Sequence, residues 1–190
     1  LWRDLGREGE PPAGLLDRLL TAYGASHRAY HTRDHLLECL NLAEEYRRLA
    51  ERVGEVEAAL WFHDVVYDPT RHDNEQRSAE LAAAALQEEG VAPEVVSRIA
   101  EAVLATDHGA PQEWSGDAAL VHDIDLAVLG AEEDRFREYQ QQIRREFGWV
   151  LHSVYRAERQ MLLRGFLGRP RIYLTDALCA RFEERARANL

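Results

Sequence analysis

Residues 34–53 read DHLLECLNLAEEYRRLAERV, and their pattern decides the fold class. Leu36, Leu40, Ala43, Arg47 and Ala50 recur at intervals of three and four, which stacks side chains on one helix face. The spacing predicts one helix from about Asp34 to Val53, beginning near Thr32 with Asp34 in its first turn. Working outward, residues 14–22 make a shorter helical block. On the other side Gly54 reads as an interruption, followed by a compact apolar helix through Val56, Ala59, Leu60 and His63. Asp68-Pro69-Thr70 reads as a turn, and Asp73 as the N-cap of a helix that runs through Glu89 and closes at Gly90. Pro93 opens a helix with Val96, Ile99 and Val103 on one face, ending near His108-Gly109. Residues 117–129, 132–147, 150–167 and 175–188 complete the series, the last with Thr175 as its cap.

Composition agrees with this reading. Ala, Leu, Glu and Arg supply 97 of 190 residues, whereas Val, Ile and Thr supply 21; the first four are good helix formers. No repeat, linker or low-complexity segment divides the chain. The expectation is an all-α fold, a single domain of about eight helices over 1–190. The two cysteines, Cys39 and Cys179, have no C-x-x-C partner, so neither a disulfide framework nor a thiolate zinc site is expected; Cys39 reads as a small core residue. The longest apolar run, Leu81–Leu86, is far short of a membrane span. No signal-peptide order is present, and the expectation is a cytoplasmic protein without a membrane partner.

Charge excludes several chemistries. All 23 basic residues are Arg and none is Lys, which removes Schiff-base mechanisms, a phosphate-loop Lys and any Lys nucleophile. A net charge of −11 makes polymeric nucleic acid a poor partner. Residues 1–131 carry 11 Arg against 25 acids, while residues 132–190 carry 12 Arg against 9. An acidic part suits a divalent cation and a basic part suits an anion.

Three groups carry metal or acid–base chemistry. His27, His31 and His35 recur every four residues, with Cys39 continuing the stripe; His31 falls at the mouth of the helix and His35 one turn inside it. His63-Asp64 ends the apolar helix, where a frayed C-terminus lets neighbouring residues reach one ion. His122-Asp123-Ile124-Asp125 forms the third group. Asp123 and Asp125 are about 200° apart on a helix, so they do not both face one site, and periodicity does not choose between them.

Taken together, Tyr30-His31-x-x-x-His35, His63-Asp64 and Asp123-Ile124-Asp125 resemble the HD superfamily of metal-dependent phosphohydrolases, whose signature is His…His-Asp…Asp on a helical domain. The chain is also similar to the bacterial branch described as predicted metal-dependent HD phosphohydrolases, in Trp61-Phe62-His63-Asp64, Tyr67-Asp68, Asn74-Glu75-Gln76-Arg77-Ser78-Ala79, Asp125-Leu126-Ala127-Val128-Leu129-Gly130 and the C-terminal Ala186-Arg187-Ala188-Asn189-Leu190. The resemblance implies a motif core over about 28–129, with helices of 132–190 packed on it. It implies His35, His63, Asp64 and Asp125 as metal ligands, with Asp123 the alternative to Asp125. Imidazole and carboxylate suit a divalent ion such as Mn, Fe, Co, Ni, Zn or Mg.

The implied activity is hydrolysis of a small phosphate ester, a nucleotide or related phosphometabolite, by metal-activated water. His31 would protonate the leaving group and Asp68 accept or orient the water's proton, with turn formation as its other role. Asn74, Glu75 and His108 would assist around ligand or phosphate. Arg28, Arg144, Arg156 and Arg159 are candidate phosphate clamps. The alternative is a catalytically silent HD fold that binds a nucleotide or partner as a regulatory module.

Overall fold

A computed structural model describes residues 2–8, 12–109 and 113–190. Among these the chain forms nine α-helices, three short 3-10 helices and no strand: α1 (Ala13–Tyr23), α2 (Arg33–Glu45), α3 (Val53–Phe62), α4 (Asn74–Glu88), α5 (Pro93–Leu104), α6 (Gly116–Asp125), α7 (Glu133–Glu146), α8 (His152–Leu167) and α9 (Asp176–Asn189). The fold is all-α, as the composition predicts. None of these helices is long and apolar enough to cross a membrane.

Helix α3 is the centre. Val56, Ala58, Ala59, Leu60 and Phe62 are all buried, so apolar residues occupy every side of the helix, the pattern of a core element. Helices α2, α4, α5 and α6 surround it. On α5 the expected face of Val96, Ile99 and Val103 is fully inside. Each such Val, Leu or Ile contributes about 1.5–3 kcal/mol through the apolar surface it removes from water.

The stretch that decides the fold class is itself divided. Helix α2 stops at Glu45, a 3-10 turn occupies Arg47–Leu49, and α3 starts at Val53. Gly54, read as an interruption, lies buried in the first turn of α3. The segment between α2 and α3 has a partner distant in sequence: the Asp117 carboxylate on α6 accepts from the backbone N–H of Glu51 and Arg52 at 2.8 and 2.9 Å. It thereby caps the approach to α3. Helix α5 likewise ends at Leu104, four residues before His108, where Thr106 donates its hydroxyl to Val103 O at 2.8 Å.

Asp73 does precede α4, but its carboxylate pairs with Arg71 rather than with the helix. Thr175 precedes α9, and its hydroxyl donates to Asp123 instead of capping.

The C-terminal helix packs tightly on the segment that follows α6. Gly130 makes this possible, because a Cβ there would lie 2.7 Å from both Cβ and O of Phe182 on α9. The close approach leaves no room for any side chain.

Candidate metal centre

The sequence places four chemically active side chains at three helix ends, and packing brings them to one point. His35 sits in the first turn of α2, after Thr32 accepts the Asp34 N–H at 3.3 Å. His63 and Asp64 follow the last residue of α3. Asp125 is the final residue of α6. Two clamps shape the turn holding His63 and Asp64. Ser78 Oγ accepts from Val66 N at 3.1 Å and donates to Val66 O at 3.3 Å. Arg28 donates to the carbonyls of Asp64 and Val65 at 2.7 and 3.1 Å, and to His31 O at 2.9 Å.

The Nε2 atoms of His35 and His63 stand 3.2 Å apart. Asp125 Oδ1 is 3.1 Å from His35 Nε2 and 3.6 Å from His63 Nε2. Asp64 Oδ2 is 3.5 and 3.0 Å from the same two nitrogens. Ligands about 2.0–2.2 Å from one ion lie roughly 3.0–3.5 Å from each other, which these separations match. Both imidazoles are almost wholly buried. His63 Nδ1 donates to Leu60 O at 2.6 Å, which leaves Nε2 facing the cluster, the nitrogen that a metal would take on displacing its proton.

A polar orphan supports the same fit. Asp64 Oδ2 is buried and makes no hydrogen bond, although His63 Nε2 is only 3.0 Å away; the two are close but not aligned. Such a group is costly unless something else meets it. The cluster also draws positive charge. Burial works against a protonated His63, yet Asp64 and Asp125 beside it push its pKa up to about 9. Burial likewise opposes ionised Asp125, but hydrogen bonds from His108 and His35 hold it well below the usual carboxylate range. Two imidazoles and two carboxylates with these properties fit a divalent cation.

Cys39 joins this group. Its Sγ lies 3.7 Å from His35 Nδ1, and ligand atoms of His35, Cys39, His63 and Asp125 all fall within 4.8 Å of one another, a buried group that could hold a metal ion. Burial pushes its thiol pKa up. The helical stripe of His35 and Cys39 is thus core and site wall together.

The two late aspartates part company. Asp125 faces the cluster and accepts from His108 Nε2 at 2.7 Å. Asp123 faces away, fully buried, accepting from Leu174 N, Thr175 N and Thr175 Oγ1, each at 2.7 Å. His122 Nδ1 adds a contact to it at 3.0 Å. Asp123 therefore ties α6 to the start of α9.

His31 lies beside the centre, its ring 6.1 Å from that of His35 and stacked on Tyr67 at 4.0 Å. Its partner was not anticipated from sequence. Glu146, at the end of α7 and with a fully buried side chain, accepts from His31 Nδ1 at 2.7 Å and from Tyr67 OH at 2.7 Å. Its other oxygen accepts from the backbone N–H of Ala29, Tyr30 and His31 at 2.7, 2.8 and 3.0 Å. Burial resists ionisation of Glu146, but the hydrogen bond and charge of His31 together with Tyr67 hold its pKa at about 2. Burial pulls the His31 pKa down; Asp64 and Glu146 overcome it and raise the value. A signal for Glu146 exists in the sequence: Phe136, Tyr139 and Ile143 form the buried face of α7, and Glu146 continues that stripe.

The other expected residues have local partners of their own. Asp68 Oδ1 accepts from Thr70 N and Oγ1 at 2.9 and 2.7 Å, the arrangement of a turn-forming side chain. Asn74 holds that turn from the other side, accepting from Asp68 N and donating to Asp68 O, both at 3.0 Å. Glu75 is half-buried, and burial raises its pKa with help from Asp64. Arg28 is given over to carbonyls, and Arg144 donates to Phe147 O and Val150 O. Arg156 is exposed on α8. Arg159 lines a cavity with His31, His108 and Asp125.

No family model matches the chain, and no curated protein or solved structure matches it.

Proposed function

We propose that the chain is a metal-dependent phosphohydrolase of HD type acting on a small phosphate ester such as a nucleotide. The observation that carries this reading is the convergence of His35, His63, Asp64 and Asp125 from three helix ends beside the His31–Glu146 pair. His35, His63, Asp64 and Asp125 would hold the ion, and His108 would orient Asp125 from behind. A divalent cation bound there supplies Lewis-acid polarisation of a phosphoryl oxygen and activation of a water.

The protein's own part is acid catalysis and positioning. Glu146 fixes His31 by accepting from Nδ1, which directs Nε2 away from Glu146. With its pKa raised, His31 is suited to carry the proton that the leaving ester oxygen needs as the P–O bond breaks. Tyr67 stacks on the ring and also donates to Glu146, limiting both partners to one orientation. Arg159 supplies a guanidinium whose hydrogen-bond partners, Tyr139 OH and Gln140 Oε1, are neutral. Its charge is available for a phosphate oxygen.

The test is a phosphate-release screen over nucleoside monophosphates and simple phosphate monoesters, with Mn or Co added, on wild type and His63→Ala. Release by wild type that His63→Ala abolishes is the expected result. No release from any ester by metal-loaded wild type would overturn the reading.

A further inference from the structure

Helix α8 is packed unlike its neighbour. Over 16 residues it buries one side chain, Phe166, whereas α7, with 14 residues, buries Phe136, Tyr139, Ile143 and Glu146. It is held by Arg159, which donates to Tyr139 OH at 2.6 Å and to Gln140 Oε1 at 3.3 Å. The Tyr155 ring adds to this, 6.1 Å from that of Phe147 and with the Arg144 guanidinium 4.7 Å from its centre. Much of the remaining surface is open and apolar: Leu151, just before the helix, is 75% exposed, Val154 47% and Met161 65%.

These residues fall in register. Leu151, Val154, Glu158, Met161 and Gly165 recur at intervals of three, four, three and four, the spacing of a and d positions, which forms one seam along a helix. The seam complements itself when a second α8 lies antiparallel across a two-fold axis placed between Glu158 and Met161. Val154 of one copy then faces Gly165 of the other, and the space in front of Gly165 is open: a Cβ added there would meet nothing within 4 Å. Glu158, an acid within the apolar seam, faces Met161 and stands one turn from Arg164 of the second copy. Neither Glu158 nor Arg164 has an ion-pair partner among the described residues, and the two-fold arrangement pairs both, twice. Net charge points to the same face. The chain carries −11 overall, which opposes contact between two copies. The acidic excess is in residues 1–131, however, and residues 132–190 set 12 Arg against 9 acids.

We propose that the α8 seam is the interface of a two-fold dimer of this chain, with the two α8 helices antiparallel and Glu158 of each paired with Arg164 of the other. A single helix pair buries less than the roughly 1,600 Å² of a standard stable interface, so the dimer dissociates in the micromolar range. The pairing has a consequence for the candidate site. Arg159, Leu162 and Phe166 bring α8 into the wall of the cavity lined by His31, His108 and Asp125, and the second copy steadies that wall from outside.

Sedimentation equilibrium of the intact chain, from low micromolar to several hundred micromolar, reads the association directly. Wild type is expected to show a reversible monomer–dimer equilibrium with no larger species. Met161→Glu and, independently, Leu151→Glu weaken it about tenfold or more, since each puts a charge into the seam. Leu37→Glu, at an exposed leucine on α2, leaves it unchanged. Glu158→Arg and Arg164→Glu each weaken the dimer about threefold or more, and the double variant recovers wild-type association to within about twofold. Circular dichroism verifies the fold of each variant, which these exposed positions permit. Wild type monomeric at every concentration, a dimer that Met161→Glu and Leu151→Glu leave unaltered, or single swaps that the double variant does not rescue, overturns the proposal. So does a monomeric chain that binds anionic phospholipid vesicles and loses them in Met161→Glu, which would assign the seam to a membrane surface.

Discussion

Glu146 accepts a hydrogen bond from His31 Nδ1 at 2.7 Å across 115 residues of sequence. The same carboxylate holds the backbone of residues 29–31, so it fixes both where His31 sits and which way the ring turns. Replacing Glu146 with Gln keeps the shape and removes the charge. The expected outcome is a fall of His31's pKa toward its ordinary value of 6.5 and a loss in kcat of about tenfold to a hundredfold, smaller than for His31→Ala, where about 10²–10⁴ is expected. The pH dependence of kcat and the His31 ring resonances in NMR check it.

The same pair sets an acid limit on stability. Glu146 has a folded pKa of about 2 against an ordinary 4.5, so its contribution is complete above about pH 4.5 and is lost as pH falls towards 2. At 1.36 kcal/mol per unit the contribution is on the order of 3 kcal/mol. His31 works in the other sense: its raised pKa stabilises at pH below about 6.5 and that part disappears as pH rises through the folded value. Denaturant melts of wild type between about pH 2 and 5 fall more steeply than those of Glu146→Gln if this assignment is right.

Asp123 and Asp125 separate a structural role from the proposed ligand role within three residues. Asp123→Ala leaves the amides of Leu174 and Thr175 without their acceptor, and is expected to cost about 2–4 kcal/mol while retaining bound metal. Asp125→Asn is expected to lose the metal and keep most of the stability. Urea melts with elemental analysis of both variants distinguish them; the opposite assignment of effects would reverse the roles.

Gly130 is required for packing rather than for chemistry. A methyl group 2.7 Å from Phe182 O and Cβ must push α9 away. Gly130→Ala is expected to destabilise by about 1–3 kcal/mol, read as a lower thermal midpoint.

Much of this architecture is legible in the sequence. The apolar face of α5 and the apolar α3 follow from spacing alone, because those helices bury one stripe or all sides. What local pattern does not contain is the partner distant in sequence. The break of the 34–53 block is held at Glu51 and Arg52 by Asp117 on α6, a contact that local spacing does not contain. Asp123 and Asp125 have equally apolar neighbours, and contacts distant in sequence distinguish them: residues 174–175 for Asp123 and His35 for Asp125. Glu146 follows two arginines at the end of α7, yet its place in the Phe136–Tyr139–Ile143 stripe marks it as inward-facing. Asp68 illustrates the converse, a motif aspartate whose near neighbour Thr70 engages it locally.

The most direct measurement is the metal content of the chain after equilibrium dialysis against Mn, Co or Zn, for wild type, His35→Ala, His63→Ala and Asp125→Asn. One tightly held ion per wild-type chain, lost in each variant while the helical circular-dichroism signal persists, is the expected result. Wild type that retains no ion, or folded variants that retain it undiminished, would contradict a metal centre at these residues.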